Sequence, residues 1–444
     1  MNTPLPRQLR ADFCDHITAG VLRQMRPRPL GRLRRFAASI IVLVGLRGEP
    51  AATPIPPPAE TFFAPAGFYR PKLSPDGSKV CALTLFNDKY YALTMTELSS
   101  KKTQYVVKTP GLSVLNFWWK SDGLMLVIVR DDFGSSAFRA LDLRTGKTNE
   151  LTDLLSYQGL ELLNVLPDDP EEMLFCATTG REPYDQPGRF LYSTDGKSRY
   201  LFIDTAYNNI IKVNLRTGKE TRIESDPGGV LFWLTDRSGA AIAAWGQERK
   251  KRFLLWRSNP TAKWQRKDET LEKLPEMIPL AVASDQRRLL VRDYRRTSVA
   301  RISLYDPATD AYEEVCAPGE VEPDGIQSWG HADEPGAIVS ETDRRRLHFL
   351  NAEAEGANQW MEKALPGTER AYSSFAHDNS RAIVVALNNR NPGVYCALNF
   401  ATRRVTIVGA AFPAINPAIQ IPCKPYFDTS MISTALIAPV GPEI

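Results

Sequence analysis

The chain has 444 residues, of which 43% are hydrophobic and 24% are charged, and both values are ordinary for a globular protein. Its 55 basic and 51 acidic residues give a net charge of +4, and much of the basic excess clusters between residues 26 and 35. The rest of the chain is close to neutral. The composition therefore indicates neither a nucleic-acid partner nor binding to an anionic surface.

The first 52 residues predict a secretory leader that is not part of the fold. A basic stretch that ends at Arg34 and Arg35 precedes the 11-residue apolar run Phe36 to Leu46, and a small-residue region follows at Ala51 and Ala52. The run is too short to span a bilayer comfortably, so no stable membrane span is expected. A proline-rich spacer occupies residues 53–61. This layout favours a periplasmic or secreted protein, and a cytoplasmic protein with a disordered tail is the alternative.

A strand-like run followed by a tight polar turn recurs seven times along the chain. The equivalent turn residues are Glu97, Asp142, Asn214, Arg257, Asp306, Asn351 and Asn399. They are separated by 45, 72, 43, 49, 45 and 48 residues. A period in the forties that is built of short strands is typical of a β-propeller.

A second recurring turn, rich in Asp and Gly, lies upstream of each of these positions. Its first acidic residues are Asp76, Asp122, Asp168, Asp236, Asp285, Asp333 and Asp378. Asp caps turns with its own side chain, and Gly accepts the positive φ that tight turns need. The distance between the two turns is 18 to 21 residues in six copies and 46 in the third, which predicts an insertion of about 25 residues within Gly180 to Tyr207.

These two repeats predict an all-β fold, a seven-bladed β-propeller over residues 62–410 with four-stranded blades. The insertion at about 180–207 falls in the third blade. No segment after the leader shows a sustained helical period, although one helical turn is expected within Leu151 to Leu166.

No catalytic, cofactor-binding or metal-binding residue is predicted. The four histidines are His16 in the leader, His348 in a strand, and His331 and His377 in turns. A Ser-His-Asp site needs a mutual geometry that the sequence cannot supply. The paired carboxylates at 131–132 and 168–169 lack the spaced oxygen ligands of a calcium loop, so no metal is expected.

The cysteines and large aromatic residues favour packing roles. None of the six cysteines belongs to a C-x-x-C pair, and Cys81, Cys176 and Cys396 lie in apolar strand runs that predict burial. The aromatic residues that recur near strand ends are Trp118, Trp119, Phe232, Trp233, Trp256 and Trp329. Packing between blades is the simpler interpretation for them, and a ligand platform at the channel mouth is the alternative.

Several segments resemble a known family. "FYRPKLSPDGSKVCAL" in the first blade, "LPDDPEEMLF" in the third and "VARISLYDPATDAYEEV" in the fifth resemble the propeller of the prolyl oligopeptidase family of serine peptidases, in its dipeptidyl/acylaminoacyl peptidase branch. The segment "FDTSMISTALIAPVG", from Phe427 to Gly441, resembles the point where those enzymes begin their α/β-hydrolase domain. The sequence contains no G-x-S-x-G nucleophile motif, so no catalytic residue can be carried over from the family.

The resemblance implies a propeller that gates or recognises peptide substrate for a catalytic domain absent from this chain, as in a truncated or split peptidase. Its expected partners are a catalytic α/β-hydrolase chain in trans or a peptide ligand. Residues 411–444 are expected to be a linker followed by an unpaired first strand of the missing domain. The alternative is a stand-alone exported propeller, similar to TolB, that serves as a protein-binding scaffold. Whether the chain has enzymatic activity of its own stays open.

Overall fold

The computed structural model describes residues 60–179, 189–192, 199–202, 207–248, 251–270, 275–296, 299–316, 322–341, 345–388, 391–415, 423–426 and 436–439. The predicted leader, most of the spacer and much of the insertion lie outside these residues. The chain divides into two compact units, and one of them comprises Pro65–Asn388 and Gly393–Pro413. This unit is the propeller.

The propeller unit contains seven antiparallel sheets of three or four strands, which are its blades. The strands of the first two blades are β1 (Phe68–Leu73), β2 (Lys79–Phe86), β3 (Tyr90–Glu97) and β4 (Thr103–Val107), then β5 (Leu112–Ser121), β6 (Leu124–Asp131), β7 (Ser136–Asp142) and β8 (Thr148–Glu150). A 3-10 helix at Thr152–Ser156 follows, within the segment where one helical turn is predicted. In both blades the strands pair in chain order.

Blade 3 contains the long repeat. Its sheet consists of β9 (Gly159–Asn164), β10 (Glu172–Thr179), β13 (Tyr207–Asn214) and β14 (Glu220–Glu224). Between its second and third strands the chain forms a separate two-stranded hairpin, β11 (Arg189–Tyr192) with β12 (Arg199–Phe202). The extra residues of the third repeat therefore separate two strands that pair with each other throughout their length.

Blades 4, 5 and 7 again have four strands in chain order. The strands of blade 4 are β15 (Val230–Thr235), β16 (Ala241–Glu248), β17 (Lys251–Trp256) and β18 (Gln265–Thr270). Those of blade 5 are β19 (Met277–Val282), β20 (Leu289–Asp293), β21 (Arg301–Asp306) and β22 (Ala311–Cys316). Those of blade 7 are β26 (Glu369–Phe375), β27 (Arg381–Leu387), β28 (Val394–Asn399) and β29 (Arg404–Ala410).

Blade 6 departs from the predicted four strands. Among the described residues it has three, which are β23 (Gly325–Trp329), β24 (Glu334–Glu341) and β25 (Arg345–Phe349), and a helix, α2 (Ala352–Ala364), follows them. The Asn351 side chain caps this helix by accepting from the backbone N–H groups of Glu353 and Ala354. The apolar side chains Ala354, Ala357 and Met361 are buried on one face of the helix. The expectation that no helix follows the leader is wrong here because the apolar face uses small alanines, which a search for large hydrophobic residues overlooks.

The seven predicted blades are confirmed. Six of the seven downstream turn residues are the last residue of a third strand or come directly after it, and the seventh, Asn351, is the helix cap of blade 6. Each upstream Asp lies between the first and second strands of its blade. Each repeat in the sequence therefore corresponds to one blade of the structure.

The first strands form the inner wall of the ring. The first strands of neighbouring blades contact one another, as β1 does with β5 and β26, and β15 with β9 and β19. The fourth strands are largely exposed, as the alternation along β18 shows. Because neighbouring strands run antiparallel, the turns between first and second strands and those between third and fourth strands lie at the same end of the ring.

The ring closes without sharing a strand between its ends. Blade 1 contains only strands from the start of the unit, and blade 7 contains only strands from its end. The seam is held by contacts between β1 and β26, where the backbone N–H of Leu73 donates to Ser374 Oγ at 3.0 Å. Just before β1, the N–H of Gly67 donates to the carbonyl of Ala411, just after β29, at 2.8 Å.

The second unit contributes two described features. One is the short helix α1 (Glu60–Phe63). The other is an antiparallel ladder of β30 (Cys423–Tyr426) with β31 (Leu436–Pro439). Residues 436–439 belong to the strand that was expected to be unpaired, and that expectation is wrong because residues 423–426 supply a partner strand. Among the described residues, no helix is both long and apolar enough to cross a bilayer.

Close packing within blade 4 makes Gly246 of β16 a sensitive position. A Cβ atom there would lie 2.2 Å from Cζ of the buried Phe253 ring and 2.6 Å from the carbonyl oxygen of Gly229. We expect Gly246→Ala to destabilise the propeller by about 3 kcal/mol, because both the ring and the backbone must move. Gly325→Ala, where a Cβ meets nothing within 4 Å, is the matched control and should change stability by less than about 0.5 kcal/mol. Denaturant unfolding measures both, and equal stabilities would contradict this packing.

Candidate functional site

The seven turns between first and second strands converge at one mouth of the central channel. We call them the turn ring, and they comprise residues 74–78, 122–123, 165–171, 236–240, 283–288, 330–333 and 376–380. They meet there because the first strands line the channel and all end on the same side of the ring.

Aspartate side chains shape these turns internally. Asp76 Oδ1 accepts the backbone N–H of Ser78 at 2.9 Å, and Asp236 Oδ1 accepts that of Ala240 at 2.9 Å. Partial burial raises the pKa of Asp76, but hydrogen bonds from Ser74 and Ser78 outweigh burial and hold that pKa below its usual value. The predicted turn-capping role of the upstream Asp is present at these positions.

Blade 3 uses a different aspartate from the one that the repeat alignment indicates. Here Asp169, and not Asp168, caps the turn by accepting the backbone N–H groups of Glu171 and Glu172 at 2.8 and 2.6 Å. Asp168 is left with a side chain that is 76% exposed. The "PDDP" sequence therefore supplies one carboxylate to the turn and a second one to the channel mouth.

Neighbouring turns are joined by hydrogen bonds that involve the backbone. The N–H of Asp76 donates to Asp122 Oδ1 at 2.9 Å, which joins blades 1 and 2. The N–H of Arg237 donates to Gln286 Oε1 at 2.8 Å, which joins blades 4 and 5. At the seam, the N–H of His377 donates to the carbonyl of Pro75 at 2.7 Å. These bonds hold the sides of the mouth together.

Lys120 joins blades 2 and 3 beneath the ring. This residue is only 5% exposed, and its ammonium group donates to the carbonyls of Val165 and Leu166 at 2.6 and 2.7 Å. Burial lowers the pKa of Lys120 to about 8, although the nearby carboxylates of Asp169 and Glu172 act in the opposite direction. A cation is thus buried against carbonyl oxygens at the base of the mouth.

Two contacts cross the mouth between blades that are not neighbours. Arg237 Nη1 of blade 4 lies 3.4 Å from Glu334 Oε1 of blade 6, and the two side chains are 51% and 32% exposed. His377 Nε2 of blade 7 lies 3.5 Å from Asp168 Oδ1 of blade 3. Both contacts involve only side chains, in contrast to the bonds between neighbouring turns.

The structure brings two of the predicted turn histidines together. The imidazole rings of His331 and His377 lie 4.5 Å apart, centroid to centroid. Asn379 Oδ1 accepts the backbone N–H of His331 at 2.8 Å and lies 3.3 Å from its Nδ1. Ligand atoms of Asp168, His331 and His377 all lie within 4.8 Å of one another. The sequence could not show this cluster, because its members come from three blades and are separated by more than 40 residues.

The structure also shows what surrounds the other candidate residues from the sequence, which are the remaining histidines and the carboxylates at 131 and 132. His348 is exposed on β25, opposite Ile338, and His16 lies outside the described residues. Asp131 Oδ1 accepts the N–H groups of Phe133 and Ser135, at 2.9 and 2.8 Å. The carboxylate of its neighbour at position 132 binds a lysine and a tyrosine of the adjacent blade. The 131–132 pair is therefore occupied by contacts within the protein.

The large aromatic residues and the cysteines have packing roles, although Cys176, which the sequence predicts to be buried, is only partly buried. Trp119 and Trp233 are buried, and the indole of Trp233 donates to the carbonyl of Asn208 in blade 3 at 2.6 Å. Such contacts support packing between blades over a ligand platform for these two residues. Cys81 and Cys396 are buried free thiols, and burial raises the pKa of Cys396 to about 11, which keeps it protonated and unreactive.

Comparisons with known proteins find similarity to solved structures only. No family model and no curated protein matches the chain. Similar solved structures include a prolyl endopeptidase, at 13% identity and a TM-score of 0.48, which covers 84% of this chain and 54% of that one. The acylaminoacyl peptidase of Pyrococcus horikoshii has 10% identity and a TM-score of 0.45, with coverage of 85% and 58%. TolB from Acinetobacter baumannii has 12% identity and a TM-score of 0.30, with coverage of 75% and 64%.

These likenesses concern the fold alone, because the identities are low. The chain spans little more than half the length of the two peptidase structures. The fold and the turn ring define a seven-bladed β-propeller whose channel mouth is held together by hydrogen bonds between neighbouring turns.

The buried Lys120 predicts a pH dependence of stability. Its native pKa of about 8 lies below that of an unfolded lysine, so the unfolded state holds this proton more tightly. Stability should therefore rise as the pH increases from about 8 to about 10.4, and this contribution is lost again as the pH falls through 8. We expect Lys120→Met to remove about 3 kcal/mol of this pH-dependent gain. Denaturant unfolding at a series of pH values measures it.

Lys102→Met is the matched control for this measurement, because Lys102 is exposed after β3. Its unfolding free energy should follow the wild-type pH dependence. If the pH dependence of Lys120→Met also followed the wild type, Lys120 would not carry a lowered pKa.

Proposed function

We propose that this propeller controls the access of peptides to the α/β-hydrolase domain of a prolyl oligopeptidase-like serine peptidase. The catalytic groups belong to that hydrolase domain, and the propeller admits or recognises the peptide. The observation that carries the proposal is the pair of contacts across the turn ring, Arg237 with Glu334 and Asp168 with His377. The family resemblance of the sequence supplies the substrate class.

The turn ring contains two kinds of contact that differ in strength: the bonds between neighbouring turns and the weaker contacts across the mouth. Bonds between neighbouring turns use the backbone and lie against the buried blades, so they persist as long as the propeller is folded. The contacts across the mouth join exposed side chains, and exposed side-chain contacts of this kind contribute only about 0–1 kcal/mol each. A closure of this strength opens without unfolding any blade. This is the property that a gate for small peptides requires.

The groups at the mouth also suit peptide recognition. Arg237, Glu334 and Asp168 present both signs of charge at the opening. A peptide chain offers an ammonium group, a carboxylate and a series of amide dipoles, and each of these can replace one partner of a mouth contact. Peptide binding would then open the mouth, because the peptide takes the place of one partner in each mouth contact.

The gate predicts a kinetic effect. In the variant Arg237→Gln/Asp168→Asn both mouth contacts are weakened while the net charge is preserved. We expect short fluorescein-labelled peptides to associate about 5-fold faster with this variant than with the wild type, because the two contacts together contribute on the order of 1 kcal/mol. Stopped-flow fluorescence anisotropy on the full chain, with peptides of about 5 to 30 residues, measures the rates.

The matched control breaks an exposed ion pair at the opposite end of the blades. Lys89 Nζ lies 2.7 Å from Asp132 Oδ1, between the second-to-third-strand turns of blades 1 and 2. Lys89→Gln/Asp132→Asn makes the same chemical change away from the turn ring and should leave the association rate unchanged. Equal acceleration by both variants, or no peptide binding at all, would contradict the proposed gate.

The catalytic partner is a separate part of the proposal. An α/β-hydrolase domain in trans would associate with this chain, and residues 431–444 are the proposed docking segment because they resemble the start of such a domain. Loss of association after deletion of residues 431–444, with an intact propeller, would support this role.

A TolB-like binding scaffold remains the alternative, and it would show protein partners without peptide binding. Export to the periplasm stays a prediction, since the leader lies outside the described residues.

A further inference from the structure

We propose that Asp168, His331 and His377 form a binding site for a divalent transition-metal ion of the zinc type at the mouth of the channel. The site goes beyond peptide gating and does not depend on it. Its ligands come from blades 3, 6 and 7, so a bound ion would tie three turns together.

The distances suit a small ion. His377 Nε2 and Asp168 Oδ1 are already 3.5 Å apart, close to the separation of roughly 3.3 Å between two ligands of a tetrahedral Zn²⁺ ion. All three ligand atoms lie within 4.8 Å of one another, which leaves a small side-chain rotation to complete the set. The His377 and Asp168 side chains are 52% and 76% exposed, so this rotation displaces no packed group.

The chemistry of the donors selects the class of ion. Two imidazole nitrogens and one carboxylate oxygen suit Zn²⁺ and its transition-metal neighbours, whereas Ca²⁺ and Mg²⁺ prefer an all-oxygen set. Three protein ligands leave a fourth position for water or for a ligand atom from a bound molecule.

Asn379 orients one of the ligands. Its Oδ1 lies 3.3 Å from His331 Nδ1, so this ring nitrogen can donate its hydrogen to the amide oxygen. The tautomer with hydrogen on Nδ1 leaves Nε2 unprotonated, which is the form that binds a metal. A ligating histidine usually donates its second ring N–H to an oxygen in this way. Asn379 is therefore a positioning residue for His331.

The turn of blade 3 is built so that Asp168 is available. Asp169 carries the capping hydrogen bonds that a single aspartate carries in blades 1 and 4. Asp168 instead faces His377. The two adjacent aspartates thus divide a structural role and a ligand role between them.

The test is a zinc titration of the full chain, measured by isothermal titration calorimetry after bound metal has been removed with a chelator. We expect one equivalent of Zn²⁺ to bind. His331→Ala, His377→Ala and Asp168→Ala should each weaken binding by about 100-fold, and Asn379→Ala by about 10-fold because it acts through His331. Co²⁺ provides a second readout, because visible ligand-field bands of the bound ion should change when either histidine is replaced.

His348→Ala is the matched control, since His348 is an exposed histidine on β25 of the same blade as His331. It should leave the zinc affinity and the Co²⁺ bands unchanged. Circular dichroism checks that each variant is folded, and Asp168→Glu should retain more affinity than Asp168→Ala. The proposal is overturned if the wild type binds no zinc, or if Asp168→Ala/His331→Ala/His377→Ala binds it as tightly as the wild type.

Discussion

The structure depends on covering both faces of every blade. A propeller sheet is apolar on two sides, and in the described part of the chain mainly the neighbouring blades bury them. Each interface therefore has to be made by the adjacent blade. Between blades 1 and 2, for example, the buried cluster combines Cys81, Leu83 and Leu93 with Phe117, Met125, Val127 and other apolar residues. Because each blade needs two neighbours, the ring has to close, and the seam between blades 7 and 1 has to be as apolar as any other interface. Leu73 and Val80 of blade 1 pack there against Ile383 and Tyr395 of blade 7.

The same constraint explains blade 6. Its described strands number three, so the outer part of blade 7 would be left partly uncovered on that side. Helix α2 covers it, because Met361 packs with Val384, Cys396 and Leu398 of blade 7. The helix ends a blade and completes an interface at once. Burial, more than strand count, is what the sequence maintains around the ring.

How far the sequence predicts this structure follows from the range of each interaction. The strand and turn periods are local, so the repeat of Asp76 and its equivalents was enough to place every blade. The capping exchange between Asp168 and Asp169 was not predictable, because both residues fit the repeat equally well. The helix after Asn351 had a local signal, an Asn cap followed by Glu353 and Glu355, but its apolar face was too modest to outweigh the strand period. The cluster of Asp168 with His331 and His377 depends on contacts across the channel, which no local pattern encodes.

The hydrogen bond from Gly67 to Ala411 has a consequence for the order of the blades. It places the residue before the first strand beside the residue after the last one, while every blade is made from one continuous stretch of the chain. The linear order in which the blades are translated is therefore not required by their arrangement in space. A chain that began at the turn between any two blades, with residues 67 and 411 joined by a short linker, could form the same ring. The position of the seam is then a property of the gene's reading order, and the folded ring itself has no intrinsic beginning.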